Sequence, residues 1–188
     1  MLVIGIHGPM GAGKSTIANM IGVIAHGPVE IIPFAKGVKD AARSLGWNGE
    51  KDEKGRRLLQ LIGTECGREC IDPDIWVKKW KKTVNDYFFE HPTGIVVVDD
   101  LRFFNEYIGV RSNPHYHLIK IKGRGYQYSL AFKIKCWITK HLFIPLVHKS
   151  ELPLQDCYFD SIIHNDGDKF ELEEEVTHIL AKALHGAV

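Results

Sequence analysis

One stretch near the start of the chain has the residue types and spacing to hold a chain of phosphates. Gly8-Pro9-Met10-Gly11-Ala12-Gly13-Lys14-Ser15 fits G-x-x-x-x-G-K-[ST], the P-loop pattern. Its glycines let successive backbone N–H groups curl around phosphate oxygens, and the helix that follows adds its N-terminal dipole. Lys14 is placed to reach the β- and γ-phosphates, and the Ser15 hydroxyl to bind Mg²⁺. Gly8, Gly11, Ala12, Gly13, Lys14, Ser15 and Thr16 are the expected ATP contacts, against the plainer alternative of a glycine-rich turn with no ligand.

A second group, Asp99-Asp100-Leu101-Arg102, closes the apolar run from Ile95 to Val98. The carboxyl ends of parallel strands form the ligand crevice of such sheets. A carboxylate there, Asp100 in this reading, can hold Mg²⁺ through water together with Ser15, and Arg102 can clamp a phosphate with its planar fork. The bland alternative is a capping Asp and a surface Arg. Cys66-x-x-x-Cys70 and His115-x-His117 are half-sites for a metal, but neither has a convincing second pair and zinc wants four ligands. For His7, at a strand end beside the P-loop, buried packing is explanation enough.

A P-loop does not by itself separate kinases, GTPases and ATP-driven machines. GTPases need a base-reading N-K-x-D, which is absent, and a large ATPase core needs more chain than 188 residues. A small phosphotransferase is the class that remains. The rival from another class is a non-catalytic nucleotide-binding or DNA-associated module.

These groups need a scaffold, and the sequence supplies one. Leu2 to Ile6 reads as a short buried strand and Lys14 to Ala25 as the helix after it. Val29 to Phe34 has strand length. Lys36 to Leu45 is helical, with Val38, Ala41, Ala42 and Leu45 on one face, and Lys54 to Glu65 is helical with Leu58, Leu61 and Ile62 buried. Asp72-Pro73-Asp74 starts a helix whose Trp76, Val77, Trp80 and Val84 form a buried stripe, so the tryptophans are core rather than a base platform. Gly94 to Val98, Tyr116 to Ile121 and Phe159 to His164 are strands. Asn165-Asp166-Gly167-Asp168 turns into a last helix with Leu172, Val176, Ile179, Leu180 and Ala183 on one stripe. Tyr126 to Val147 fits a helix and an alternating strand equally well. The expected fold is α/β, a three-layer P-loop NTPase type with a parallel sheet and helices on both faces, in one domain spanning 1–188.

Composition agrees with a soluble globular protein: 45% hydrophobic and 25% charged residues, and a net charge of +1. No bulk charge pulls the chain onto nucleic acid, and no stable nucleic-acid partner is expected. The first residues lack a basic stretch before the apolar run, so a signal peptide is not expected, and Lys133, Lys135 and Lys140 argue against a spanning helix and a membrane partner. Four irregularly spaced cysteines fit a reducing, cytoplasmic setting. Charge is nevertheless uneven. Tyr107 to Ser150 holds eight Lys or Arg and no acid, a candidate polyanion surface and, over 123–149, a candidate lid.

The later blocks resemble a family, the deoxynucleoside monophosphate kinases of tailed phages. The likeness lies in Pro33-Phe34-Ala35 with Lys39-Asp40, in Arg57-Leu58-Leu59-Gln60-x-x-Gly63-Thr64, in Asp100-x-Arg102-x-x-Asn105-Glu106, in His148-x-Ser150-Glu151, and in Asn165-Asp166-Gly167 before a final helix. The blocks occur in family order over most of the chain; Tyr126 to Val147 matches nothing in it. The resemblance implies ATP-dependent phosphorylation of a (deoxy)nucleoside 5′-monophosphate with Mg²⁺, in the host cytoplasm, with a homodimer left open. It implies that Lys14 and Mg²⁺ hold the donor, that Phe34, Lys39, Arg57 and Arg102 meet the acceptor or the transferred group, that Gln60 reads the base edge, and that Arg124 is a catalytic lid arginine. Phosphomevalonate-type and dephospho-coenzyme-A-type kinases are the nearest rivals within the class.

Overall fold

Side chains alternate along the first strand: Leu2, Ile4 and Ile6 enter one hydrophobic core and Val3 the other. A strand buried on both faces belongs in the middle of a parallel sheet, and that is where it lies. In the computed structural model, which describes residues 1–123, 130–141, 154 and 157–186, β1 (Leu2–His7), β2 (Val29–Ile31), β3 (Ile95–Val98), β4 (Tyr116–Gly123) and β5 (Ser161–Asn165) form one five-stranded sheet in the order β2-β3-β1-β4-β5. The ladders within it are all parallel. The chain leaves β1, crosses past β3 to β2 and later returns to β4 on the other side, so the carboxyl end of β1 is the switch point of the sheet.

Helices cover both faces. α1 (Lys14–Ile24) and α7 (Lys169–His185) bury Ile17, Ile21, Leu172, Val176, Ile179 and Leu180 against Ile4, Ile6 and Val97. On the opposite face α4 (Ile75–Glu90) and α5 (Phe104–Arg111) bring Val77, Trp80, Val84, Tyr107 and Val110 onto Val3, Val96 and Val98. This is the three-layer α/β arrangement the sequence leads one to expect. α2 (Ala35–Ser44) and α3 (Glu53–Gln60) lie between β2 and α4 in the chain, and α6 (Leu130–His141) between β4 and β5. No helix among the described residues is long and apolar enough to cross a membrane.

Several local expectations are corrected. β2 stops at Ile31: the Ile32 N–H makes the last bond to β3, at Val97, and the next N–H on that side, from Phe34, goes to the Asp100 carboxylate instead. Leu45 is exposed, since α2 ends at Ser44 and the stripe ends with it. The helix expected over Lys54 to Glu65 is α3 followed by a π-helical segment, Leu61–Ile71. That widening, with i→i+5 bonding, places the Gly63 carbonyl where the Trp76 indole N–H donates to it at 2.7 Å. It also lays Gly67 flat on the Trp76 ring, where a Cβ would come within 2.7 Å. Leu58, Leu61 and Ile62 are only half-buried as a result.

Candidate active site

The P-loop joins β1 to α1 at the switch point. Gly11 and Gly13 take left-handed φ values of 79° and 95°, the conformation that turns consecutive N–H groups inward to make an anion-binding concavity. Gly13 is doubly constrained, because a Cβ there would lie 2.6 Å from Asn165 Nδ2. Ala12 is buried, while Gly11, Ser15 and Thr16 are exposed at the mouth. Lys14 Nζ donates to the carbonyls of Gly8 and Pro9 at 2.9 and 2.8 Å, a position from which its charge covers the loop.

The strand-end acids divide their work. Ser15 donates its hydroxyl proton to Asp99 Oδ2 at 2.7 Å. Asp100 instead accepts the backbone N–H groups of Phe34 and Ala35 at 2.9 and 2.8 Å and so caps the start of α2. Burial pushes the Asp100 carboxyl above its usual range, those two N–H donors oppose the rise, and neighbouring Asp99 adds to it. Of the two strand-end acids it is Asp99, not the expected Asp100, that stands beside Ser15. A hydroxyl and a carboxylate converging beside a phosphate cradle are hard oxygen donors, which fits Mg²⁺.

His7 marks where the cations gather. Its Nδ1 donates to the Leu101 carbonyl at 3.0 Å, the only role that carbonyl partner permits, and its ring stacks on Phe159 with centroids 5.5 Å apart. Burial above all, then the nearby charges of Lys120, Lys14 and Arg102, lower its pKa to about 4 against the opposing Leu101 bond. The imidazole is neutral near pH 7, and Lys14 and Arg102 share its surroundings. The structure thus brings together the P-loop, Ser15, Asp99 and the loop carrying Arg102.

Among the described residues, the remaining expected ones lie before and along α2 and α3. The Phe34 ring is 3% exposed and packs on Trp80 at 4.7 Å, so Phe34 faces the site only through its backbone. Lys39 is half-buried on α2. Arg57 pairs with Glu65 at 3.3 Å on an exposed surface, and Gln60 ends α3. Arg124, with most of the candidate lid, lies outside the described residues.

Two contacts were not anticipated from the sequence, although it singled out one residue of each, Asn165 and Glu106, within the family blocks. Asn165, at the end of β5, donates Nδ2 to the Ala12 carbonyl at 2.8 Å, bracing the P-loop from a residue the sequence placed in a turn and in a family block without a role. Asn165→Ala is expected to raise the KM for nucleotide about tenfold and to cost about 1 kcal/mol; nucleotide titration and thermal unfolding of the variant check both. The second is a buried ion pair, Arg68 Nη2 with Glu106 Oε1 at 2.6 Å. Burial foremost, then the Asp100 charge, push Glu106 up to about 7, against the pull of Arg68 and of the Arg102 and Phe103 N–H groups.

No family model matches this sequence, and no curated protein matches it. Among solved structures it is similar to a sugar kinase from Janibacter sp. HTCC2649, at 10% identity over 99% of this chain and 95% of that one, TM-score 0.44. It is also similar to the Deinococcus radiodurans tunicamycin resistance protein, at 14% identity over 94% and 93%, TM-score 0.49. A gluconokinase from Sinorhizobium meliloti 1021 matches at 12% identity over 96% and 91%, TM-score 0.44. At these identities and scores the likenesses are of chain path alone.

Proposed function

We propose that this chain transfers the γ-phosphoryl group of ATP to a nucleoside 5′-monophosphate, with deoxynucleoside monophosphates as the acceptor class. The observation that carries the reading is the meeting, at the carboxyl ends of β1 and β3, of Lys14, the Ser15–Asp99 pair and the arginine-bearing loop after β3. Support for the acceptor class comes from the ordered blocks around Lys39, Arg57, Gln60 and Arg102.

In this reaction an oxygen of the acceptor's phosphate bonds to the γ-phosphorus as the bond from that phosphorus to the β–γ bridging oxygen breaks, and ADP leaves with the electron pair. Two anions meet, so the protein's task is to position them and neutralise their charge. The P-loop N–H groups and Lys14 bind the donor. Arg102 offers a planar fork to the acceptor's phosphate or to the group in flight. Ser15 and Asp99 would hold Mg²⁺, which when bound offsets charge on the triphosphate. Neutral His7 adds no positive charge and holds Leu101 in place, one residue before Arg102.

Incubation with ATP and a panel of nucleoside and deoxynucleoside monophosphates, phosphomevalonate and dephospho-coenzyme A, read as ADP release, tests the proposal. ADP formation dependent on a deoxynucleoside monophosphate is expected. Turnover confined to phosphomevalonate or dephospho-coenzyme A would move the acceptor class. No turnover, with salt-dependent duplex binding, would replace the enzyme by a DNA-associated module. Arg57→Lys and Arg102→Lys, which keep a charge but lose the fork, are each expected to lower kcat/KM more than about tenfold.

A further inference from the structure

The loop that presents Arg102 is held from three sides. Asp100 ties it to the start of α2, and Asn105 Nδ2 ties it to the Pro73 carbonyl and to Asp74 Oδ1, at 2.8 and 2.9 Å. The third tie is the least economical. Glu106 is buried, its side chain 3% exposed, and it spends one oxygen on Arg68. The other accepts the backbone N–H groups of Arg102 and Phe103 at 2.9 and 3.0 Å. Arg68 in turn lies over the Phe103 ring at 4.0 Å and donates Nη1 to the Gly63 carbonyl at 2.8 Å. Its Nε is buried with no hydrogen-bond partner among the described residues.

A buried ion pair with one idle donor is a poor way to stabilise a fold, because apolar residues of similar volume often do it as well or better. It is a good way to fix a direction. The carboxylate that Arg68 orients is the one that grips the peptide N–H of Arg102, and the guanidinium stacks on the next residue. Arg68 belongs to the π-helical segment that continues α3, the helix carrying Arg57 and Gln60, and segments widened in this way are frequent at functional sites. We propose that Arg68 and Glu106 are a positioning pair that sets the aim of Arg102 at the transferred group, linking the α3 side of the cleft to the strand-end loop. This rests on the phosphotransfer reading. Neither residue need touch a ligand.

The test uses the full chain with ¹⁵N-labelled arginine, in which the Arg102 Nε–Hε signal is assigned by its loss in Arg102→Lys. In Arg68→Met and Glu106→Gln the Arg102 signal is expected to move. In the same variants kcat is expected to fall at least about tenfold while the KM for ATP stays within about threefold, since the P-loop is held by other residues. In an Arg102→Ala background Arg68→Met is expected to have little further effect on kcat, because the pair acts through Arg102. Should Arg68→Met fail to fold, Arg68→Lys reads the same signal with the charge kept and the fork removed. An Arg102 signal that stays in place, or rate losses that multiply in the Arg102→Ala background, would overturn the proposal in favour of a purely structural pair. A wild type without transfer activity would overturn the underlying reading instead, and the Arg102 signal would still decide the pair.

Discussion

Replacing Lys14 by alanine is expected to lower phosphoryl transfer by about a thousandfold or more and to leave the folded chain intact. Lys14 opens α1 and donates to two carbonyls of its own loop, Gly8 and Pro9. The core beneath is made by Ile17, Ala18 and Ile21, which the substitution does not touch, and alanine is the best helix former. What is lost is the positive charge that would face the β- and γ-phosphates where charge builds up during transfer. Steady-state rates beside far-ultraviolet circular dichroism and thermal unfolding separate the two effects. A folded Lys14→Ala variant within about tenfold of wild-type turnover would remove Lys14 from the donor site.

The layers of the fold were legible because period and burial agree. Leu172, Val176, Ile179, Leu180 and Ala183 are all buried on α7 as their spacing indicates, and Trp76 and Trp80 are core residues with their indole N–H groups satisfied by the carbonyls of Gly63 and Ile32. α5 escaped notice for the converse reason. Its buried positions include Glu106 and Gly109, while Phe104 and Ile108 are exposed, so no apolar stripe marks it. The π-helical segment was equally hidden, since the contact that goes with it is tertiary: the Trp76 ring lies against Gly67. Asn165 looked like a turn residue, because nothing in its neighbourhood of sequence indicates that β5 ends beside a loop 153 positions earlier. The opposite facing of Asp99 and Asp100, by contrast, could have been read from the chain. Along β3, Ile95 and Val97 face the α1 side and Val96 and Val98 the α4 side. Continuing that alternation puts Asp99 toward the P-loop helix and Asp100 away from it.

That division leads to opposite outcomes at neighbouring residues. Asp99→Asn keeps an oxygen that can accept the Ser15 hydroxyl proton, so the fold is expected to hold. It removes the charge that would draw a divalent cation to the triphosphate, and kcat is expected to fall about a hundredfold with a higher Mg²⁺ concentration needed for half-maximal rate. Asp100→Asn acts on the scaffold. Each Asp100 oxygen accepts a different N–H, from Phe34 and from Ala35, and an amide offers one acceptor where two are used. One N–H then faces another donor, at a cost of about 1–3 kcal/mol, or roughly 5 °C in Tm for a chain of this length. Because Phe34 carries the start of α2 and packs on Trp80, the loss spreads into the core on the α4 side and reaches the rate only indirectly, with the Mg²⁺ requirement unchanged. Thermal unfolding and Mg²⁺ titrations of the two variants side by side decide the matter. If Asp100→Asn raised the Mg²⁺ requirement at unchanged Tm while Asp99→Asn lowered Tm alone, the two acids would have to exchange roles, and the Ser15–Asp99 contact would be a structural bond beside the phosphate cradle rather than part of it.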